Sequence, residues 1–266
     1  MHLIIDEENC SACEKCITVC IRDALKLEGD HVVEVDESNC FDCGQCMAVC
    51  KTGSIRLKIY QDQEDRIEEY NQREIPISYE DYIQFLKQRR SCRWFLKRRE
   101  LSSEDYEKLF EAAYYSPTAQ NMQDVEFVVI KKDLDEFLNH IYDIIKVEED
   151  EYFRIAQFGD YLKHPENYKY NPFLWEGKEL ILTFAKDPMD AIIASTRVEL
   201  AGYTLGLGGF YSLFISKADR INHDKLMEFF PEIDPDKHMY SVYIIGYPRV
   251  SFKRTIPHKK IKVNYK

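Results

Sequence analysis

Residues 10–20 read Cys10-Ser-Ala-Cys13-Glu-Lys-Cys16-Ile-Thr-Val-Cys20, and residues 40–50 read Cys40-Phe-Asp-Cys43-Gly-Gln-Cys46-Met-Ala-Val-Cys50. Both follow C-x2-C-x2-C-x3-C, and each cysteine of the second run lies thirty positions after its counterpart (10→40, 13→43, 16→46, 20→50). Of the nine cysteines in the chain only Cys92 stands outside this internal repeat. Four thiolates per site are what a [4Fe-4S] cube requires, one for each iron. Three of them at x2 spacing wrap one loop around a face of the cube, and the fourth must come from elsewhere. Structural zinc would use two cysteine pairs and leave the third x2-spaced cysteine of each run unexplained. Disulfides are disfavoured in the reducing cytoplasm, where this chain is expected to reside. Between the runs, residues Leu25 to Val35 alternate around Gly29 as a short hairpin would, and Ser54-Ile-Arg-Leu-Lys58 reads as a further strand.

The rest of the chain has a different character. Its 266 residues are 45% hydrophobic and 31% charged, enough for a small module joined to a larger globular domain. The net charge of −11 argues against a nucleic-acid surface, which needs basic groups to neutralise phosphates. The start, MHLIIDEENC, lacks the basic n-region of a signal peptide. The longest nearly uncharged run, around Leu205 to Ser216, falls short of the ~20 residues that span a bilayer. Neither nucleic acid nor membrane is therefore an expected partner.

From Ile59 to about Ser78 the sequence is charged, poor in periodic hydrophobics and punctuated by Pro76, as a linker or surface arm would be. Three parts are expected: a cluster-binding domain over 1–59, a linker or arm over 60–78, and a second domain over 79–266. In the last, helical spacing of Tyr82, Phe85, Leu86 and Arg89 is followed by a helix from Ser102 or Ser103 to Tyr115. Glu126 to Lys131 and Glu179 to Ala185 read as buried strands, 134–147 and 189–205 as helices, and 239–246 as a late strand. The irregular alternation predicts an α+β layer fold with a central mixed sheet flanked by helices.

Three segments of this domain carry chemical interest. Arg89-Arg-Ser-Cys-Arg-Trp-Phe95 brings three arginines and a hydroxyl together, which suits a phosphate monoester, although a basic helix end favoured by the helix dipole has the same composition. Ser116-Pro-Thr-Ala-Gln-Asn-Met-Gln123 offers amide donors and acceptors, such as the edge of a flavin demands. Leu205-Gly-Leu-Gly-Gly209 permits close backbone approach. It is not a dinucleotide fingerprint, because it closes a helix instead of opening one after a strand. Cys92 is assigned no role, a lone thiol being an ordinary buried residue.

The cysteine runs closely resemble the two-cluster bacterial ferredoxins. That resemblance implies cross-ligation, with Cys10, Cys13 and Cys16 joined by Cys50, and Cys40, Cys43 and Cys46 joined by Cys20. Ile21 and Lys51 stand where that family usually has proline. In order, RRSxRxF, SPTAQNMQ before a hydrophobic strand, a long helix ending LGLGG, and IGYP resemble the nitroreductase family of FMN-dependent oxidoreductases from about Tyr79 onward. The whole chain thus resembles ferredoxin and nitroreductase fusions.

The second resemblance implies FMN, held at phosphate and ribityl chain by Arg89, Arg90, Ser91 and Arg93. It implies an isoalloxazine faced by Pro117, Thr118, Asn121 and Gln123, and approached by Gly208, Gly209, Ser212 and Leu213. Arg254 or Lys260 is the candidate for a further phosphate contact. No side chain is a convincing general acid, so the chemistry is expected to be the flavin's. A homodimer is implied, fed by a low-potential donor such as reduced ferredoxin, or by NAD(P)H. Electrons would pass through the clusters to a nitroaromatic, quinone-like or related conjugated acceptor. The alternative is an electron carrier that relays them to another protein.

Overall fold

The computed structural model describes residues 2–35, 37–71 and 74–266, so residues 72 and 73 of the expected linker lie outside the described residues. The chain divides into two compact units, one made of 1–75 with 118–123, the other of 76–117 with 124–266.

In the first unit, β1 (Leu3–Ile5) pairs antiparallel with β4 (Ile55–Leu57), and β2 (Leu25–Glu28) forms a hairpin with β3 (His31–Glu34) through Gly29 at φ +67°. Two one-turn helices, α1 (Lys15–Val19) and α2 (Gln45–Val49), follow the x2-spaced loops. The thirty-residue repeat extends to the backbone. Left-handed residues occur at Ala12 and Asp42, at Glu14 and Gly44, and at Asp23 and Gly53. Each pair stands at equivalent positions of the repeat: the first two turn the chain between the x2-spaced cysteines, and the third follows the fourth cysteine of each run. A core of Leu3, Leu25, Val32, Ile55 and Leu57 encloses Cys16 and Cys46. Beyond β4 the expected linker begins as 3-10 turns over Lys58–Arg66.

The second unit begins where Ser78, as N-cap, accepts the Asp81 N–H and starts α3 (Tyr79–Gln88). Ser102 and Asp105 form a reciprocal capping box at the head of α4 (Ser103–Tyr114). Four strands follow in the spatial order β5-β6-β8-β7: β5 (Glu126–Ile130), β6 (Glu179–Ala185), β7 (Gly208–Tyr211) and β8 (His238–Gly246). The remaining helices are α5 (Leu134–Ile145), α6 (Phe153–Lys163), α7 (Pro188–Thr204), α8 (Leu213–Ile221) and α9 (His223–Met227).

Every residue of β6 is buried, and its side chains alternate between two cores. Leu180, Leu182 and Phe184 pack with residues of α5, α6 and α8, while Ile181 packs with Leu109 and Ala113 of α4 and Ala194 and Val198 of α7. The expected α+β layer fold is present, with helices covering both sheet faces. The sheet is not mixed: all three pairings among the described strands are antiparallel. Because β8 lies between β6 and β7, the two strands joined by α7 run the same way without pairing. The buried carboxylate of Glu179 accepts the Leu101 N–H at 3.0 Å and the Tyr106 hydroxyl, so its position within the layers is matched by donors. Among the described residues no helix is long and apolar enough to cross a membrane.

Two substitutions test this construction. A Cβ on Gly209 would lie 2.2 Å from the Ile244 carbonyl oxygen, so Gly209→Ala forces β7 away from β8. Chemical denaturation of the holoprotein is expected to show a loss of about 1–3 kcal/mol or more. Ser102→Ala removes the cap of α4 and is expected to cost about 1 kcal/mol in the same measurement.

Candidate functional site

In the first unit, Cys20, Cys40, Cys43 and Cys46 line one small apolar cavity together with Leu3, Ala24, Leu25, Phe41 and Leu57. Cys20 reaches it from the end of α1, the other three from the loop and first turn of α2. The Ala24 N–H donates to Cys20 Sγ at 3.4 Å. The other set is linked electrostatically: burial raises the Cys16 thiol above its ordinary pKa, and charge on Cys50 and Cys10 adds to the rise. Burial pushes the Cys46 thiol up to about 12, with Cys43, Cys40 and Cys16 adding to it. Burial thus disfavours the thiolate form, and a cation bound by these crowded sulfurs would offset that cost, as it does in a metal-cluster ligand set.

The loop Thr118–Gln123 packs with this first unit. Three of its non-glycine residues, Gln120, Asn121 and Gln123, have φ of 50°, 55° and 51°. Their amides are already engaged: Asn121 Nδ2 donates to the Asp42 carbonyl at 2.9 Å, and Gln123 Nε2 to the Tyr60 hydroxyl at 2.6 Å. The Gln123 N–H is held by Thr118 Oγ1 at 2.9 Å. These bonds fix a backbone that would otherwise avoid the left-handed region.

In the second unit the segment after α3 fans its side chains apart. Arg89 Nη1 donates to Glu199 Oε1 on α7 at 3.0 Å, forming an ion pair in which Glu199 is 11% exposed. The alternative of a freely solvated basic helix end therefore does not describe Arg89. Arg90 turns the other way, 5.5 Å from the Phe252 ring, and lines a cavity of about 520 Å3. Gln84, Cys92, Gly208, Pro248, Lys253 and Arg254 also line it. Ser91 is exposed. Arg93 lies over Phe210 at 4.9 Å and over Trp175 at 5.7 Å. Lys260 is exposed and does not line this cavity, and Pro117 is exposed at the end of the segment after α4.

Gly206, at φ +76°, closes α7, whereas Gly208 and Gly209 open β7. The space a Gly209 side chain would take is filled by Ile244 and Tyr243, and that of Gly208 by Pro248 and Cys92. The glycines let the protein's own strands and loops close, and the Cys92 N–H donates to the Gly209 carbonyl at 2.9 Å. Ser212 caps α8, and with Leu213 it lines a second cavity of about 230 Å3 bordered by Ser195, Thr196, Tyr211, Tyr240 and Ser241.

Glu199 was not anticipated from sequence, although an acidic residue amid the apolar residues of a long helix was a signal. Besides pairing with Arg89 it raises the pKa of Tyr211, whose burial is the larger cause. Ser195 and Ser241, 2.7 Å apart through their hydroxyls, come from α7 and β8 and carried no sequence signal.

The two cysteine sets lend themselves to a test by double substitution. If Cys20 serves the Cys40 set, Cys20→Ala with Cys46→Ala loses no more iron than either alone, about four atoms per chain. Cys20→Ala with Cys16→Ala then loses iron from both sites. Iron analysis of anaerobically purified protein distinguishes the two patterns.

Residues 86–247 match the model of the Nitroreductase family, and residues 2–72 match that of a 4Fe-4S dicluster domain. A nitroreductase with bound FMN from Bacteroides fragilis NCTC 9343 is similar in structure. It has 15% identity and a TM-score of 0.53, with 69% of this chain and 98% of that chain covered. A nitroreductase with bound FMN from Desulfitobacterium hafniense DCB-2 is similar too, at 16% identity and a TM-score of 0.51, covering 68% of this chain and 97% of that one. At such identities the likeness speaks for the fold. No curated protein matches. The match over 86–247 exceeds half of the 266 residues, and the chain belongs to the Nitroreductase family, with a 4Fe-4S dicluster domain at its N-terminal end.

Proposed function

We propose that this chain is an FMN-dependent oxidoreductase that takes electrons through two [4Fe-4S] clusters and delivers them to a nitroaromatic, quinone-like or related conjugated acceptor. The observation that carries the reading is the shared cavity of Cys20, Cys40, Cys43 and Cys46 in a chain of the Nitroreductase family. Clusters exchange single electrons and a flavin exchanges one or two, so the two cofactors on one chain couple a one-electron donor to a two-electron reduction.

The cavity of about 520 Å3 fits the volume range of cofactor sites. Arg90, Lys253 and Arg254 supply cationic donors for a phosphate monoester, and Leu207, Cys92 and Pro248 supply apolar wall. Arg89 is held by Glu199, so it acts by positioning the segment in which Arg90 and Ser91 follow. Tyr211, Ser212 and Leu213 border the smaller cavity, where hydroxyl and backbone groups can orient a ring edge. The roles of Pro117, Thr118, Asn121 and Gln123 toward a flavin, and of Lys260 toward its phosphate, belong to the same proposal. So do the division at 1–59, 60–78 and 79–266, a homodimer, a cytoplasmic location, and donation by reduced ferredoxin or NAD(P)H.

The test is an anaerobic visible spectrum with iron, sulfide and acid-released flavin measured on one sample. Roughly eight irons and one FMN per chain are expected. Full clusters without flavin would overturn the reductase reading. Arg90→Ala and Arg254→Ala are each expected to weaken FMN retention by roughly 10-fold or more, the worth of a charge-assisted hydrogen bond. Cys10→Ala with Cys40→Ala is expected to abolish turnover driven by reduced ferredoxin; normal NADPH-driven turnover in that variant would show direct flavin reduction. Electron storage without catalytic consumption of any small acceptor would favour a carrier.

A further inference from the structure

At the far end of the second unit's sheet, three ligand-type side chains from three elements converge. Asp219 lies in the last turns of α8, His223 opens α9, and His238 is the first residue of β8. His223 Nδ1 is 2.9 Å from Asp219 Oδ1, and His238 Nδ1 is 2.8 Å from Asp219 Oδ2. The two imidazole centroids are 4.2 Å apart. The carboxylate is almost wholly buried, at 9% side-chain exposure, and is anchored by the Met239 N–H at 3.1 Å.

The orientation of His223 carries the argument. Its Nε2 is 2.8 Å from the Pro235 carbonyl oxygen, which can only accept, so Nε2 bears hydrogen. Its Nδ1 then faces an anionic oxygen, and that contact needs either a second proton on the ring or a cation between the two atoms. A metal-bound histidine characteristically has its second nitrogen donating to a backbone carbonyl, which fixes the ring and raises its basicity. Pro235 stands in that relation to His223. Its loop is rigid: the Lys237 N–H donates to the Asp234 carbonyl at 2.9 Å and the Asp236 N–H to Asp234 Oδ1 at 3.0 Å. His238 is 40% exposed, which leaves a path for an ion and a solvent-facing position for water.

We propose that Asp219, His223 and His238 form a divalent metal site of zinc class, bound through the two Nδ1 atoms and the Asp219 carboxylate, with water completing the shell. All the ligand atoms lie within 4.8 Å of one another. Nitrogen and oxygen ligands at about 2.0–2.2 Å from tetrahedral zinc are reached by opening the present contacts by about half an ångström. Two imidazoles and one carboxylate suit zinc and its neighbours in the transition series, not magnesium or calcium, which take oxygen sets. Asp224 follows His223 on α9, and the Tyr240 ring lies 5.8 Å from that of His238. Of the two cations adjacent to these residues in sequence, Lys237 is turned away into a pair with Glu126, and Arg220 lies 3.9 Å from Glu148. The site joins α8, α9 and the start of β8, so occupancy fastens the end of the sheet opposite Gly246. It is independent of the cysteine clusters and of the proposed reductase activity.

The experiment titrates zinc chloride into chelator-washed, cluster-loaded protein under anaerobic calorimetry, with iron measured before and after. One zinc per chain is expected, with iron unchanged and the thermal unfolding midpoint raised at saturation. His223→Gln and His238→Gln retain polar side chains and are each expected to weaken binding by about 100-fold. Zinc K-edge absorption should show nitrogen and oxygen neighbours without sulfur. The proposal is overturned if zinc uptake survives both substitutions, if the spectrum shows sulfur, or if the wild-type protein with intact iron takes up no zinc. In the last case a proton alone holds the two imidazoles to Asp219. Should either variant unfold, the absorption spectrum and melting shift of the wild-type protein still decide.

Discussion

The burial of β6 on both faces is the constraint on which the second unit depends. A strand with no solvent face cannot leave backbone groups unpaired, so β5 and β8 must flank it, and helices must cover both sides. β8 pairs along seven residues of β6 and then with β7 on its other edge. Its two ends thereby acquire fixed positions. Gly246 leads to Pro248 and the wall of the larger cavity, and His238 meets Asp219 at the opposite end.

Buried carboxylates enter this apolar arrangement with partners at three places, whereas the Thr183 hydroxyl within β6 has none. Glu179 is matched by Leu101 and Tyr106, Glu199 by Arg89, and Asp219 by two imidazoles and a backbone N–H. Removing one partner from such a pair leaves a buried charge, which costs more than the pair contributes. Arg89 illustrates the consequence for function. The guanidinium nearest the end of α3 is committed to α7, and the next arginine reaches the cavity instead.

The first unit follows another rule. Its core is a few strand residues around two sets of thiols, too small to be stable from apolar burial alone. Metal–thiolate bonds supply what such a core lacks. The repeated left-handed residues at 12 and 42, 14 and 44, and 23 and 53 show the backbone shaped twice to one ligand geometry.

The sequence by itself determined what depends on spacing and period. Cysteine intervals identified two equal metal-binding loops, alternation around Gly29 the hairpin, the serine pair Ser102 and Ser103 the start of α4, and uninterrupted apolar runs the strands β5 and β6. The antiparallel order β5-β6-β8-β7 was not legible, because strand period records which face is buried and not which neighbour pairs. Nor was the parting of Arg89, Arg90 and Arg93, adjacent in sequence but directed by partners on α7, the Phe252 segment and β7. The close contact of Gly209 with Ile244 and Tyr243 was not legible either, because it depends on which strand lies beside β7. Asp219, His223 and His238 are scattered over twenty residues without motif spacing, and only the meeting of α8, α9 and β8 brings them together. Local geometry is written in the chain, whereas contacts between distant elements are decided by which surfaces can be buried together.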